Sequence, residues 1–431
     1  MRILIENICI LPMTGRDSVI EKGYLIIEDR MIKELGSGSA APAEYDRVID
    51  GRKKVVMPGF VNTHTHAAMN LMRGYADDLP LMEWLEQKIW PLEAQLKAED
   101  VYWGSMLAIL EMIKSGTTTF NDMYFFMDET ARAVEETGIR AVLCRGLIGL
   151  GPEAESGLDD SRRLVEKWHC SAEERIKFLL GPHAPYTCPP DYLKLVIALA
   201  RELNVGIHTH IAETQGEVEN IKRQYGKTPV ALMEEVGLFE LKTIAAHCVH
   251  LSSDDIRTIQ GQGVGVAHNP ESNMKLASGV APIPELLEAG VAVGLGTDGA
   301  SSNNNLDMLQ EMRSCALLHK VNKMDPTVLP AYQALEMATV NGAKALGLSR
   351  EIGSLQPGMK ADLIMLNLDQ AHMQPMHDLM ANIVYSAQAA DVDTVIINGQ
   401  LIMENRKILT FDEQQVLDQA EKHARELARR I

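Results

Sequence analysis

The two ends of the chain share one pattern of hydrophobic and polar residues. Apolar residues alternate with polar ones over short stretches separated by turns, which is typical of β-strands with one buried face. These stretches are RILIENICIL, KGYLIIEDRMIKEL and DRVIDGRKKVVMPG near the start, and KADLIMLNL and VDTVIINGQLIMENRKIL near the end. A charged helix is predicted over 412–430. We expect residues 1–58 and 359–431 to pair into one small domain.

A different pattern fills residues 59–358. Short apolar runs are separated by amphipathic stretches, the pattern of βα units in a parallel sheet. The eight runs are GFVNTH, TTTFND, RAVLCRG, IKFLLGPH, VGIHTH, TIAAHC, GVGVAH and VAVGLGTD. The stretch DYLKLVIALAREL, at 191–203, has the apolar spacing of an outer helix. The sequence therefore predicts an α/β chain with a (β/α)8 TIM barrel over residues 59–358.

Polar side chains gather where these apolar runs end. They are His64, His66, Asp122, Arg145, His183, His210, His247, His268 and Asp298. In a barrel of this kind the carboxyl ends of the strands form the active-site face. We therefore expect the active site at these positions.

Composition narrows the range of partners. Forty-one basic and fifty-nine acidic residues give a net charge of −18, which argues against nucleic acid or an anionic membrane surface as the partner. The six cysteines lie far apart without a C-x-x-C pair, as expected of reduced thiols in a cytoplasmic protein. Neither a secretory signal nor an apolar stretch of membrane-spanning length is recognised in the sequence. A small-molecule substrate fits this composition best.

Four residues form a candidate metal site. His64 and His66 are two positions apart, so in a β-strand they point to the same side. With His210 and Asp298 they offer nitrogen and oxygen ligands to a divalent ion. Zn²⁺ is the first choice and Fe²⁺ the second, because no thiolate belongs to the set.

A bound ion of this kind lowers the pKa of a water molecule toward neutrality, which indicates hydrolytic chemistry. Glu213, in HIAE, is placed to pass protons to a substrate nitrogen. Asp298, in GLGTDG, is placed to take the proton of the attacking water. His247, in AAHCVH, would orient that water or help to bear charge during the attack.

The other histidines have simpler interpretations. A lone strand histidine is more often packed and hydrogen-bonded than bound to metal, and this interpretation is applied to His208, His250 and His268. Structural or solvated roles are expected for the histidines of helical or peripheral stretches, namely His169, His319, His372, His377 and His423.

Several motifs resemble those of a known family. PGFVNTHTH, HIAE, AHCVH, HNPESNMKLASG and GLGTDG are similar to successive motifs of the amidohydrolase superfamily, in its branch of one-metal deaminases and chlorohydrolases. The resemblance covers essentially the whole chain and implies a β-sandwich built from residues 1–58 and 359–431, and a homo-oligomer. Two-metal members hold a bridging modified lysine where this chain has His183, so one metal ion per subunit is implied.

Within that branch the chain is most similar to the 5-methylthioadenosine/S-adenosylhomocysteine deaminases. The stretch at 81–96 places Glu93 where the family binds the ribose hydroxyls, and Trp84 where it lines the pocket near the alkylthio group. Arg145 and His183 match further substrate-binding positions, as do Glu213 and Asp298 in their motifs. Two alternatives stay open. Glu93 would complement the dipole of a helix that begins after the preceding proline, and Arg145 would be a surface charge.

The implied activity is hydrolytic deamination of the adenine ring of 5′-methylthioadenosine and S-adenosylhomocysteine, with adenosine as a further candidate, to an inosine-type product and ammonia. Action on another purine, a pyrimidine or a triazine on the same scaffold is the alternative. A non-catalytic binding or assembly protein is a remote alternative, because such a relative would have lost a ligand or Glu213. The sequence leaves open the preferred nucleoside, the oligomeric state and whether Arg145 serves its own or a neighbouring subunit's pocket.

Overall fold

The computed structural model describes residues 1–151 and 154–431. Its strands are β1 (Arg2–Ile10), β2 (Ile20–Glu28), β3 (Met31–Ser37), β4 (Arg47–Asp50), β5 (Lys54–Pro58), β6 (Phe60–Thr65), β7 (Thr117–Tyr124), β8 (Arg140–Leu147), β9 (Ile176–Phe178), β10 (Gly181–Pro182), β11 (Ile207–Ile211), β12 (Thr243–His247), β13 (Gly265–His268), β14 (Val293–Leu295), β15 (Leu363–Asn367), β16 (Val392–Ile397), β17 (Gln400–Glu404) and β18 (Lys407–Ile408).

The helices surround and connect these strands. They are α1 (Leu81–Trp84), α2 (Trp90–Glu93), α3 (Ala98–Lys114), α4 (Met127–Thr137), α5 (Ala154–Trp168), α6 (Ser171–Glu174), α7 (Pro190–Leu203), α8 (Gln215–Tyr225), α9 (Pro229–Glu235), α10 (Ser253–Gly261), α11 (Pro270–Lys275), α12 (Ile283–Glu288), α13 (Ala300–Asn303), α14 (Met308–Lys323), α15 (Ala331–Ala338), α16 (Val340–Leu346), α17 (Leu379–Tyr385) and α18 (Glu413–Ala428).

Both ends of the chain contribute to one nine-stranded sheet. Its order is β18-β17-β16-β15-β5-β1-β2-β3, with β4 beside β1. Strand β15 runs antiparallel to β5 and thereby joins the C-terminal strands to the N-terminal ones. Side chains such as Ile3, Ile27 and Leu363 form a separate apolar core. The expected pairing of the two β-rich ends is confirmed.

The middle of the chain forms the barrel. Strands β6, β7, β8 and β10 are parallel neighbours, with β9 beside β8, and β11 to β14 form a second parallel set. Leu180 bridges to Ile207 where the two sets meet. The hydroxyl of Thr63 donates a hydrogen bond of 2.8 Å to the carbonyl of Leu295, between β6 and β14. All eight predicted runs form strands, the fourth being split into β9 and β10. The predicted fold class is therefore confirmed.

Buried contacts join the barrel to the terminal sheet. Arg140, at the start of β8, is almost fully buried, and its guanidinium contacts Asp362 through Nε at 2.7 Å and Nη2 at 3.1 Å. Helix α18 buries Val416, Ala420 and His423 on one face, and His423 lies 2.8 Å from a carboxylate oxygen of Asp100 on α3. Buried polar contacts thus join the C-terminal part of the chain to the barrel at both β8 and α3. The predicted domain boundaries at residues 58 and 358 stay predictions.

Within the described residues, no helix is both long enough and apolar enough to cross a membrane.

Candidate active site

The four predicted metal ligands come together at the carboxyl ends of the barrel strands. His64 lies in β6 and His66 directly follows it, His210 belongs to β11, and Asp298 follows β14. Asp298 Oδ1 lies 3.3 Å from Nε2 of His64 and 3.4 Å from Nε2 of His66. Nε2 of His210 lies 3.4 Å from Nε2 of His66. The sequence therefore identified side chains that converge on one point.

The outward nitrogens of these histidines have fixed partners. Nδ1 of His66 donates a hydrogen bond of 2.6 Å to the carbonyl of Met123, and Nδ1 of His210 donates one of 2.7 Å to the carbonyl of His183. Nδ1 of His64 lies 2.9 Å from Nε2 of His208. Such contacts direct Nε2 of each ring toward the common point. His208 thus contacts His64 from behind the converging set and supports that one ligand.

This geometry fits a single metal ion. Two ligands at about 2.0–2.1 Å from a tetrahedral zinc ion lie roughly 3.3 Å apart, which matches the observed spacings. Nε2 of His64 is buried and has no hydrogen-bond partner among the described residues. Burial lowers the pKa of His64 to about 3, so its ring is neutral, as a metal ligand must be.

Hydrogen bonds fix the orientation of the Asp298 carboxylate. Its Oδ2 accepts hydrogen bonds from the hydroxyls of Ser272, at 2.6 Å, and Ser302, at 2.9 Å. Its Oδ1 accepts one of 2.9 Å from the backbone N–H of Gly299 and also faces the histidines. Asp298 itself has a φ of 58°, a left-handed conformation that residues with a Cβ adopt rarely. Sequence reasoning missed the two serines, although Ser272 lies inside the motif HNPESN.

Glu213 and His247 face each other beside the ligands. Oε2 of Glu213 lies 3.9 Å from Nε2 of His247. Nδ1 of His247 donates a hydrogen bond of 3.0 Å to the side-chain carbonyl of Asn273, which fixes the ring. Burial raises the pKa of Glu213. Burial would lower the pKa of His247, but the carboxylates of Glu213 and Asp298 outweigh it and raise that pKa. Both side chains therefore bind a proton more readily than they would in water.

A cavity opens above the converging ligands. Trp84, Glu93 and His183 line it, together with Glu213, so these predicted substrate residues share one space. Burial raises the pKa of Glu93 to about 7, an effect that the neighbouring Tyr124 hydroxyl partly offsets. The rest of the wall is mainly apolar and includes Met69, Leu81, Leu85, Ile89, Trp90, Met123, Phe125, Ile148 and Leu276.

Arg145 is not brought to this cavity. Its Nε lies 3.0 Å from Oδ2 of Asp160 on α5, and its Nη1 donates a hydrogen bond of 3.1 Å to the carbonyl of Gly146. The described residues that line the cavity do not include it. A role for Arg145 in substrate binding stays a prediction.

Most of the histidines that were set aside have structural partners. Nε2 of His268 lies 3.1 Å from Nε2 of His319, and Nδ1 of His169 accepts a hydrogen bond of 3.1 Å from the backbone N–H of Phe178. His250 donates one of 2.6 Å to the carbonyl of Ser278. His372 lies 2.7 Å from a carboxylate oxygen of Asp391, and His377 is exposed.

Comparisons with known proteins agree with this site. The model of the amidohydrolase family matches residues 55–402. A protein named 5-methylthioadenosine/S-adenosylhomocysteine deaminase from Syntrophomonas wolfei subsp. wolfei is 66% identical over 428 residues, or 99% of each chain. A protein of the same name from Pelotomaculum thermopropionicum is 56% identical over 430 residues, again 99% of each chain.

A solved structure extends the comparison to three dimensions. The crystal structure of an adenosine deaminase from Xanthomonas campestris with bound zinc has 35% sequence identity and a TM-score of 0.95, and the match covers 99% of this chain and 98% of that one. The resemblance found in the sequence motifs is confirmed over the full chain. The chain belongs to the amidohydrolase family.

Proposed function

We propose that this chain is a zinc-dependent hydrolase that deaminates the adenine ring of 5′-methylthioadenosine and S-adenosylhomocysteine, and also of adenosine, to the inosine-type product and ammonia. The observation that carries the proposal is the convergence of three imidazoles and one carboxylate, 3.3 to 3.4 Å apart, below a cavity that Glu213 and Glu93 also line. The names of relatives at 66% and 56% identity support the choice of substrate.

One zinc ion per subunit would be held by His64, His66, His210 and Asp298, with Fe²⁺ as the less favoured metal. When bound, the ion supplies Lewis-acid chemistry and a nucleophile at neutral pH. Asp298 receives the proton of the attacking water on its carboxylate. The hydroxyls of Ser272 and Ser302 keep that carboxylate turned toward the reacting atoms.

Glu213 is the general acid. Its raised pKa keeps a proton available to N1 of the adenine ring, where negative charge develops as C6 is attacked. His247 is fixed by Asn273 and faces Glu213. It stabilises the charge that forms on the oxygen added to C6. The amino group then takes the proton that Asp298 received and leaves as ammonia, while the hydroxyl proton at C6 returns to Glu213 as the C6 carbonyl forms.

Glu93 binds the ribose hydroxyls, and His183, which lines the same cavity, is a further substrate contact. The carboxylate of Glu93 accepts two O–H donors only when ionised, which gives preference for an intact ribose. Trp84 and its apolar neighbours receive the 5′ substituent. A guanine, cytosine or triazine offers no ribose hydroxyls to Glu93, so we favour a nucleoside over these alternatives. A cytoplasmic location and a homo-oligomer stay predictions.

An ultraviolet assay of the zinc-loaded protein tests this function. The panel contains 5′-methylthioadenosine, S-adenosylhomocysteine, adenosine, guanine, cytosine and a chlorotriazine, and the chelated protein is the control. We expect the adenine nucleosides to be converted to their hypoxanthine forms with release of ammonia. Turnover of the triazine, guanine or cytosine in place of the adenine nucleosides would overturn the proposed substrate, and inactivity toward all six would overturn the proposed reaction.

A further inference from the structure

The segment that carries Glu213 leaves β11 through a left-handed turn. Ala212 has a φ of 53°, a conformation that residues with a Cβ adopt rarely. Such a conformation persists only where surrounding contacts hold it. The contacts around Ala212 therefore determine where the Glu213 carboxylate lies.

The side chain of Glu217 supplies two of these contacts. Its Oε1 accepts a hydrogen bond of 2.8 Å from the backbone N–H of Ala212, and its Oε2 accepts one of 2.9 Å from that of Glu213. Only 6% of Glu217 is exposed, so water competes little for either bond. On the other side of the turn, the carbonyl of Ala212 accepts hydrogen bonds from the backbone N–H groups of Val249 and His250, at 3.0 and 2.9 Å.

The place of Glu217 in helix α8 makes this use of its side chain unusual. Thr214 is the N-cap of the helix, and its Oγ1 accepts a hydrogen bond of 3.2 Å from the backbone N–H of Glu217. The spacing T-x-x-E is that of a capping box, in which the glutamate bonds back to the N–H of the N-cap residue. Here both carboxylate oxygens reach past Thr214 to the turn. Glu217 therefore supports the segment before the helix more than the helix end itself.

We propose that Glu217 is a positioning residue, which fixes the backbone of Ala212 and Glu213 and thereby aims the Glu213 carboxylate at the substrate. This proposal rests on the proposed function for the role of Glu213. Among the described residues that line the cavity, Glu217 is absent, so it acts through Glu213. Without the two hydrogen bonds, the turn is free to relax and the 3.9 Å approach of Glu213 to His247 is no longer maintained.

Three variants of the full-length, zinc-loaded protein test the proposal. In Glu217→Ala we expect kcat to fall by about 10²-fold, the cost of misplacing a reacting group by roughly 1 Å, while KM and zinc content change little. Glu217→Gln retains one acceptor oxygen, so its kcat should lie between those of the alanine variant and the parent protein. The matched control is Thr214→Ala, which removes the cap of the same helix and should lower Tm by a few degrees while kcat is kept.

A second measurement does not depend on activity. Hydrogen exchange of the Ala212 and Glu213 backbone amides should be faster in Glu217→Ala than in the parent protein and unchanged in Thr214→Ala. The proposal is overturned if Glu217→Ala keeps the parent kcat, if it loses zinc in proportion to activity, or if Thr214→Ala loses as much kcat. Should the alanine variant fail to fold, Glu217→Gln decides by the same criteria. A parent protein that is inactive on every nucleoside would refute the proposed function, and amide exchange would still test the two hydrogen bonds.

Discussion

Two groups of side chains in the described part of the chain have the composition of a metal site but differ in their surroundings. The open cluster consists of His64, His66, His210 and Asp298, with a ring nitrogen of His247 also within 4.8 Å of the ligand atoms of His64 and Asp298, and the sealed cluster consists of His268, Cys315 and His319. In each cluster three ligand atoms come within 4.8 Å of one another. Proximity alone therefore does not separate a metal centre from a packed group of histidines.

The first difference lies in the nitrogens that face away from each cluster. In the open cluster, the Nδ1 atoms of His64, His66 and His210 all have partners, and their Nε2 atoms face the Asp298 carboxylate or one another. In the sealed cluster, Nε2 of His268 contacts Nε2 of His319, and neither Nδ1 has a partner among the described residues. Metal-bound histidines nearly always donate their second N–H, so only the open cluster has the supporting contacts of a metal site.

The second difference is charge and access. The open cluster contains a carboxylate and lies at the base of a cavity, whereas the residues of the sealed cluster are all fully buried. Burial raises the pKa of the Cys315 thiol and lowers that of His319 to about 4, so the sealed cluster is neutral. A cation there would be surrounded by neutral groups, which is costly. We therefore expect zinc in the open cluster alone.

Removing one histidine from each cluster should give the largest difference between the two clusters. His66→Ala should lose zinc, and kcat should fall on the order of 10³-fold or more, because the ion supplies several kcal/mol of transition-state stabilisation. His319→Leu should keep one zinc ion and the parent kcat, while its free energy of unfolding falls by about 1–3 kcal/mol because His268 loses its partner. Elemental analysis, kinetics and denaturant unfolding measure these changes. Loss of zinc from His319→Leu, or its retention in His66→Ala, would reverse our assignment.

The Glu213→Gln variant distinguishes proton transfer by Glu213 from metal binding by the open cluster. The amide keeps the size of the side chain but carries no titratable proton, so kcat should fall roughly 10²- to 10⁴-fold. Zinc content should match that of the parent protein, because Glu213 is outside the converging set. Full activity of this variant would remove Glu213 from the mechanism.

His208→Leu tests the contact that supports His64. Without the nitrogen 2.9 Å from Nδ1 of His64, we expect zinc affinity, measured by competition with a chelator, to weaken by about 10- to 100-fold. His268→Leu is the matched control, because it removes a buried strand histidine of the sealed cluster and should leave zinc affinity unchanged. Equal effects in the two variants would show that the loss reflects packing and not support of a ligand.

The pH dependence of substrate binding should show a smaller difference between the cavity above the open cluster and the sealed cluster. The pKa of Glu93 is raised to about 7 by burial, so its ionised fraction rises about tenfold between pH 6 and pH 8. Because the ribose contact proposed for Glu93 requires the ionised form, KM for 5′-methylthioadenosine should fall as pH rises through this range. The sealed cluster stays neutral there, since the pKa of His319 is lowered to about 4.

Two controls assign this pH effect. The pH-dependent fall in KM should disappear in Glu93→Gln and with a 2′,3′-dideoxy substrate, which should also be much poorer than a substrate changed at sulfur. A KM that rises with pH in the parent protein, or an unchanged preference for the intact ribose in Glu93→Ala, would contradict the ribose role of Glu93.

The strands and the ligands were predictable because each depends on local sequence. Eight apolar runs give the eight barrel strands, and the two-residue spacing of His64 and His66 places both rings on one side. The contact between His64 and His208 joins different strands, so spacing within one segment does not reveal it. The same holds for Ser272, which lies on helix α11 and donates its hydrogen bond to Asp298 from a separate segment.

Arg145 and Glu217 show a further limit of sequence reasoning. Arg145 lies near a strand end, as a cavity residue would, yet Asp160 on the neighbouring helix holds its guanidinium. Glu217 has the spacing of a capping box, and only the left-handed turn at Ala212 reveals its other partners. In both cases the direction of a side chain depends on a partner that the local pattern does not specify.

Crystallographic anomalous density at the zinc edge, measured on active protein of known metal content, would locate the metal ion. We predict one zinc ion per chain, bound by His64, His66, His210 and Asp298, with no anomalous peak between His268, Cys315 and His319. An active preparation with no ion at the first position, or with its zinc at the second, would contradict the account.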